Sequence, residues 1–240
     1  MKHLAILGSA VATVALFVGM AVPLRGGQDR GVVPARADFG SGTLGNWPTM
    51  SHGIVGNWST AEVGLIGDSV TTRCYRSLAT LVARAGSTLA VNYWSGRPAT
   101  PAVDWLLAQP RTPRVLLVQS GPSDIFDPPA ITVQVVRLKA GLPIGTRLLW
   151  SDVQVARTRY APAVQLADQR NSLWVNNQLR ENLPKSQIIP WSSWFSSSPG
   201  RVPYYLQDGV HPWATAGTGH GDGCAFWAAA MMSAAASAIR

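Results

Sequence analysis

The stretch "VGLIGDSVTTRCY", residues 63–75, is a mostly apolar run that stops on Gly67-Asp68-Ser69 and gives way to a polar, helix-like segment. A short, near-continuous apolar run bounded by turn residues reads as a strand buried on both faces. Four more runs share this character: "TLAVNYW" from Thr88, "RVLLVQS" from Arg114, "RLLWSDVQV" from Arg147 and "SQIIPW" from Ser186. Helix-like stretches separate them: residues 70–85, "TPAVDWLLAQ" from Thr100, "PAITVQVVRLKA" from Pro129 and "LADQRNSLWVNNQLREN" from Leu166. "AFWAAAMMSAAASAI", from Ala225, closes the chain and is too short to span a bilayer. Strand–helix alternation at this spacing predicts one α/β domain over 62–240. Its expected form is a three-layer α/β/α sandwich around a mostly five-stranded parallel sheet. Residues 38–61, rich in Gly, Ser, Thr and Asn, read as an irregular lead-in.

Ahead of this domain, Lys2 and His3 precede an uninterrupted apolar run over 4–22, and small residues follow at Ala35–Ala37. Residues 1–37 therefore read as a signal peptide, or as an uncleaved anchor tethering the chain through 4–22, since about 20 apolar residues can span a bilayer. The plainer alternative is a buried helix of the fold. Export places the rest of the chain in the cell envelope or outside the cell. The formal charge is +8. Four of the 20 basic residues and one of the 12 acids precede Asp38, leaving 16 and 11, or +5. The remaining positive charges are scattered, which argues against nucleic-acid binding. Cys74 and Cys224 are an even count in an exported chain and suggest one disulfide; two buried free thiols are the alternative.

In a parallel α/β sheet the carboxyl ends of the strands form the site-bearing edge. Ser69 stands at such an end, just before a helix. A reacting serine needs an exposed oxygen with donors nearby for the oxyanion it creates. Ser69 could equally be a helix cap. "YYLQDGVHPW", residues 204–213, adds weight to the first reading: it holds Asp208 and His211 three apart, ahead of the last helix. Histidine can be the base that a serine hydroxyl lacks, and an acid on its other ring nitrogen fixes the tautomer.

With these residues in hand, the chain resembles the SGNH (GDSL-type) hydrolase superfamily from residue 63 to about 239. "GDSV" matches the first block, with Ser69 as nucleophile, and "DGVHP" the last, with Asp208 and His211 completing a triad. "YWSGRP" is similar to the glycine block and makes Gly96 a backbone oxyanion donor. "QSGPSDIF" lies where the family has Gly-x-Asn-Asp; Ser123 stands in place of the asparagine whose amide completes the oxyanion hole beside the Ser69 N–H. "GRPATPAVDWLL" and "ADQRNSLWVN" resemble exported actinobacterial members. The resemblance implies a flavodoxin-like fold and acyl-serine ester hydrolysis, slowed by Ser123, with no cofactor. Its substrates would be small-molecule, lipid or acetylated envelope-glycan esters. The rivals are a glycan O-acyltransferase of the same fold and a non-catalytic envelope-binding protein.

Asp68 is expected to be structural. Trp94, Trp191, Trp194 and Trp213 could stack on sugars or line an acyl pocket, with packing the plainer role. His220 and Asp222 alone are weak evidence for a metal, and no metal site is expected.

Overall fold

The computed structural model describes residues 38–236, 238 and 239; the expected signal or anchor segment, 1–37, lies outside them. The sheet contains β1 (His52–Val55), β2 (Val63–Gly67), β3 (Leu89–Trp94), β4 (Val115–Gln119), β5 (Arg147–Ser151) and β6 (Ile188–Ile189). They lie in the order β1-β3-β2-β4-β5-β6. β2 to β6 pair in parallel, and β1 pairs antiparallel with β3. The helices are α1 (Ser69–Arg84), α2 (Ala99–Leu107), α3 (Ala130–Gly141), α4 (Pro162–Asn182), α5 (Trp191–Ser196), α6 (Arg201–Tyr205) and α7 (Gly223–Ala235).

The alternation of side chains along each strand builds two cores. Ile66, Leu116, Val118, Leu148 and Trp150 face α2, α3 and α4. Val63, Leu65, Val115, Leu117 and Leu149 face α1, α5 and α7. Both faces are covered, which is why β2 and β4 are apolar almost throughout and fully buried. A disulfide between Cys74 of α1 and Cys224 of α7 ties two helices of one layer.

Three expectations need correction. Among the described residues the sheet has six strands, because His52–Val55, inside the expected irregular lead-in, adds an antiparallel edge to the five parallel strands. The run from Arg147 leaves the sheet after Ser151: β6 offers only a two-residue partner, and the Val153 N–H and C=O turn instead to the Asn176 side chain. The lead-in is also bound to the domain, since Trp58 is buried in the core and the Phe39 carbonyl accepts from Asn171.

Candidate active site

Gly67 ends β2 where a Cβ would collide with Thr71 and the Gln119 carbonyl, so only glycine lets α1 and β4 approach the strand end so closely. Asp68 caps α1, its Oδ1 accepting from the Val70 N–H at 3.0 Å. Ser69 is therefore the first residue of a 16-residue helix, where the backbone N–H groups lack helical partners and the dipole favours negative charge.

The second half of the site is a tight loop. Leu206 and Pro212 bridge its base, the Gln207 N–H donates to the His211 carbonyl at 2.8 Å, and Gly209 turns with φ +83°. A side chain at Gly209 would strike the Ala156 carbonyl. The segment after β5 runs alongside: the Ala156 N–H donates to the Gly209 carbonyl and the Thr158 N–H to that of Asp208. Arg73 of α1 donates to the Gln207 amide oxygen and the Pro212 carbonyl, joining the loop to the helix that Ser69 begins.

This scaffold brings Ser69, His211 and Asp208 into one hydrogen-bonded line. His211 Nδ1 lies 2.8 Å from Asp208 Oδ2, and Nε2 lies 2.8 Å from Ser69 Oγ. An ionised carboxylate only accepts, so Nδ1 carries the proton and Nε2 is free to accept from the serine hydroxyl. Burial pushes the Asp208 carboxyl up. The bonds from the His211 ring and from the His211 and Val210 N–H groups outweigh this and hold it well below the usual carboxylate range. Asp208 thus stays ionised against the ring it orients.

Ser69, Asp208 and His211 open onto a cavity of about 260 Å³, whose walls include Ser123, Ile125, Phe126, Val155 and Tyr160. Ser123 is 8% exposed and adjoins this space. Gly96 follows β3 on the same sheet edge but packs against Trp47 and Met50, outside the lining. Among the described residues, none of Trp94, Trp191, Trp194 and Trp213 lines the cavity. Trp191 is core, Trp94 stacks on His52, Trp194 on Phe226, and Trp213 on His220. Asp222 caps α7.

Several buried or wall-bracing residues around the site were not singled out in the sequence. Arg97 is 2% exposed, and its Nη2 donates to the Gly67 and Asn92 carbonyls. Burial lowers its pKa to about 10 against the opposing pull of Asp68, while burial pushes Asp68 up to about 7. Arg157 grips the buried Asp168 through two nitrogens and lies over the Phe126 and Tyr160 rings, bracing the cavity wall. Asp124 accepts the Ala99 N–H with both carboxylate oxygens, tying the end of β4 to the start of α2. Arg97, Asp168 and Asp124 all lay within stretches that resemble the family, but the resemblance assigned none of them a role.

No protein-family model matches the sequence, and no curated protein matches it. Solved structures do share the fold. The C-terminal catalytic domain of peptidoglycan O-acetyltransferase A from Streptococcus pneumoniae is 16% identical, with 76% of this chain and 96% of that one covered at a TM-score of 0.54. An acetyl xylan esterase from Geobacillus stearothermophilus is 14% identical, with coverage of 74% and 95% and a TM-score of 0.52. A DUF4886 family protein from Bacteroides uniformis is 14% identical, with coverage of 72% and 81% and a TM-score of 0.52. With its parallel five-strand core, its helices on both faces and these neighbours, the chain has the SGNH-hydrolase fold.

Proposed function

We propose that this protein is an exported serine acyl hydrolase that cleaves carboxylic esters through Ser69, His211 and Asp208. The observation that carries the reading is the unbroken line from Ser69 Oγ through the His211 ring to Asp208, with 2.8 Å at both steps. Ser69 Oγ attacks the ester carbonyl as its proton passes to His211 Nε2. The carbonyl oxygen becomes an oxyanion, held by the Ser69 N–H at the start of α1 and the Ser123 hydroxyl; Gly96, expected as a third donor, stands outside the cavity lining. His211 returns the proton to the leaving alcohol oxygen, and the C–O bond breaks to leave an acyl-serine. Water then attacks the acyl carbon as its proton passes to His211, and His211 returns that proton to Ser69 Oγ as the acyl C–Oγ bond breaks and the acid leaves. Asp208 keeps its charge throughout and stabilises the imidazolium. Export is supported by the Cys74–Cys224 disulfide. Among the described residues no helix is long and apolar enough to cross a membrane.

A second reading is acyl transfer to a sugar hydroxyl, and the fold shared with an O-acetyltransferase domain favours it. The two differ only in the nucleophile that meets the acyl-serine, so products formed with and without a glycan acceptor separate them. The primary test is a fluorophosphonate probe with short-chain aryl esters on protein starting at Asp38. The expected result is labelling and turnover, both lost in Ser69→Ala, with losses of about 10³-fold or more. Absence of labelling, or a Ser69→Ala or His211→Ala variant with parental turnover, removes the reading in favour of a binding protein that kept the fold.

A further inference from the structure

A second concavity lies on the same edge of the sheet. It has a volume of about 510 Å³, and Val155, which lines the Ser69 cavity, also lines this one. Its floor includes Gln154, just after β5, and Ser192, just after β6, and is held in place by Asp152, which is not itself in the lining. Asp152, 1% exposed, follows β5 and accepts from the Ser192 N–H just beyond β6; Arg180 Nη2 stands 3.6 Å from the same carboxylate. Asn176, 2% exposed, is held by both polar groups of the Val153 backbone. These bonds fix the floor before any ligand arrives.

The walls are polar yet carry little free charge. Gln154, Gln169, Ser172 and Ser196 line the groove with Arg180, whose charge faces Asp152. Amide and hydroxyl side chains offer both donors and acceptors, which suits hydroxyl groups, themselves both. Ser172 is 5% exposed, and its buried Oγ has no hydrogen-bond partner among the described residues. A buried polar atom of this kind costs free energy until something bonds to it. Leu173, Pro199 and Val202 supply apolar surface for the C–H faces of a ring. Among the described residues the one cation in the lining, Arg180, faces Asp152, which does not favour an anion, and an acyl chain would desolvate the amides without return. From β2, which delivers Ser69, to β6 is three strand spacings, about 14 Å, within reach of a short oligosaccharide.

We propose that this groove binds a neutral saccharide chain; on the hydrolase reading above, on which its role in turnover rests, it holds the sugar side of the ester while the acyl group lies at Ser69. Gln154→Ala/Gln169→Ala and Ser172→Ala test it in a Ser69→Ala background, by heteronuclear NMR titration with xylose-, glucose- and N-acetylglucosamine-based tetrasaccharides. The expected result is that at least one tetrasaccharide shifts groove resonances and that the double variant weakens its binding about tenfold. No binding of any tetrasaccharide, or binding unchanged in both variants, overturns the proposal. So does a groove variant that alters the preference among aryl esters of rising acyl length while saccharide binding persists. Aryl acetate turnover by the protein with Ser69 intact reads the hydrolase assignment separately; the groove variants should leave it unchanged.

Discussion

Ser123 has a shorter reach than the asparagine found at the corresponding place in the family the chain resembles. Its hydroxyl adjoins the Ser69 cavity, but removing or weakening one oxyanion donor in other enzymes costs about 10²–10³ in kcat. Ser123→Asn is therefore expected to raise kcat with little change in KM, because the contact acts mainly in the transition state. Steady-state kinetics on this variant and on Ser123→Ala check it: if both match the parent, position 123 is not a donor. Asp68 makes a different prediction. Its carboxyl is raised by burial from 3.8 to about 7. Between these values the folded state keeps a proton that the unfolded state has lost, so stability falls as pH rises, by up to about 1.4 kcal/mol per unit, and levels off above 7. Asp68→Asn keeps an acceptor for the Val70 N–H and does not titrate. Its stability relative to the parent should thus increase from pH 4 to pH 7 and then plateau. Urea unfolding across that range tests it; a constant difference would mean Asp68 does not titrate there. The catalytic candidates were legible because their chemistry is local in sequence: Gly-Asp-Ser ends a strand, and Asp208 and His211 sit three apart. Arg97, Asp168 and Asp152 were not, because nothing about a charged residue in a sequence says that it will be buried.

At the scale of elements, α1 and α7 are held by packing and by the Cys74–Cys224 bond, whose ends are 150 residues apart. Closing so long a loop restricts the unfolded chain, and removing it with Cys74→Ser/Cys224→Ser should cost roughly 2–4 kcal/mol. Denaturant unfolding should show a lower midpoint, with the Ser69–His211 geometry, and so aryl ester turnover, retained below the transition. An unchanged midpoint would mean that helix packing alone sets the stability. The five parallel strands and the five longer helices announced themselves by apolar runs and helical spacing. β1 did not: it is four residues long and mostly exposed, so its partner β3, not its composition, makes it a strand. α5 and α6 are six and five residues, and contacts from distant segments hold them: packing against the core, Asp152 on the Ser192 N–H, and the Trp213 and Gly221 N–H groups on the Tyr205 and Tyr204 carbonyls.

For the whole molecule, the lead-in closes the domain. β1 covers the edge of β3, and an uncovered edge strand is a template for association. Trp58 is buried beside Trp105, and Arg157 and Asn171 both reach Ser41. A protein beginning at Glu62 should therefore melt lower than one beginning at Asp38, by at least about 3 kcal/mol for Trp58 alone, and should associate with rising concentration. Thermal melts and size-exclusion chromatography of the two compare them; equal behaviour would reduce the lead-in to a tether. From its sequence alone, this chain was legible as an α/β sandwich with a serine at one strand end and an Asp-x-x-His near its own end, because strand and helix periodicities and short-range motifs are properties of neighbouring residues. Only the tertiary structure decided that Nε2 of His211 meets Ser69 across 142 residues, that the segment after β5 leaves the sheet to brace Asp208, and that the groove beside Val155 exists. Those depend on which groups the packed layers bring together and which backbone donors find their partners there.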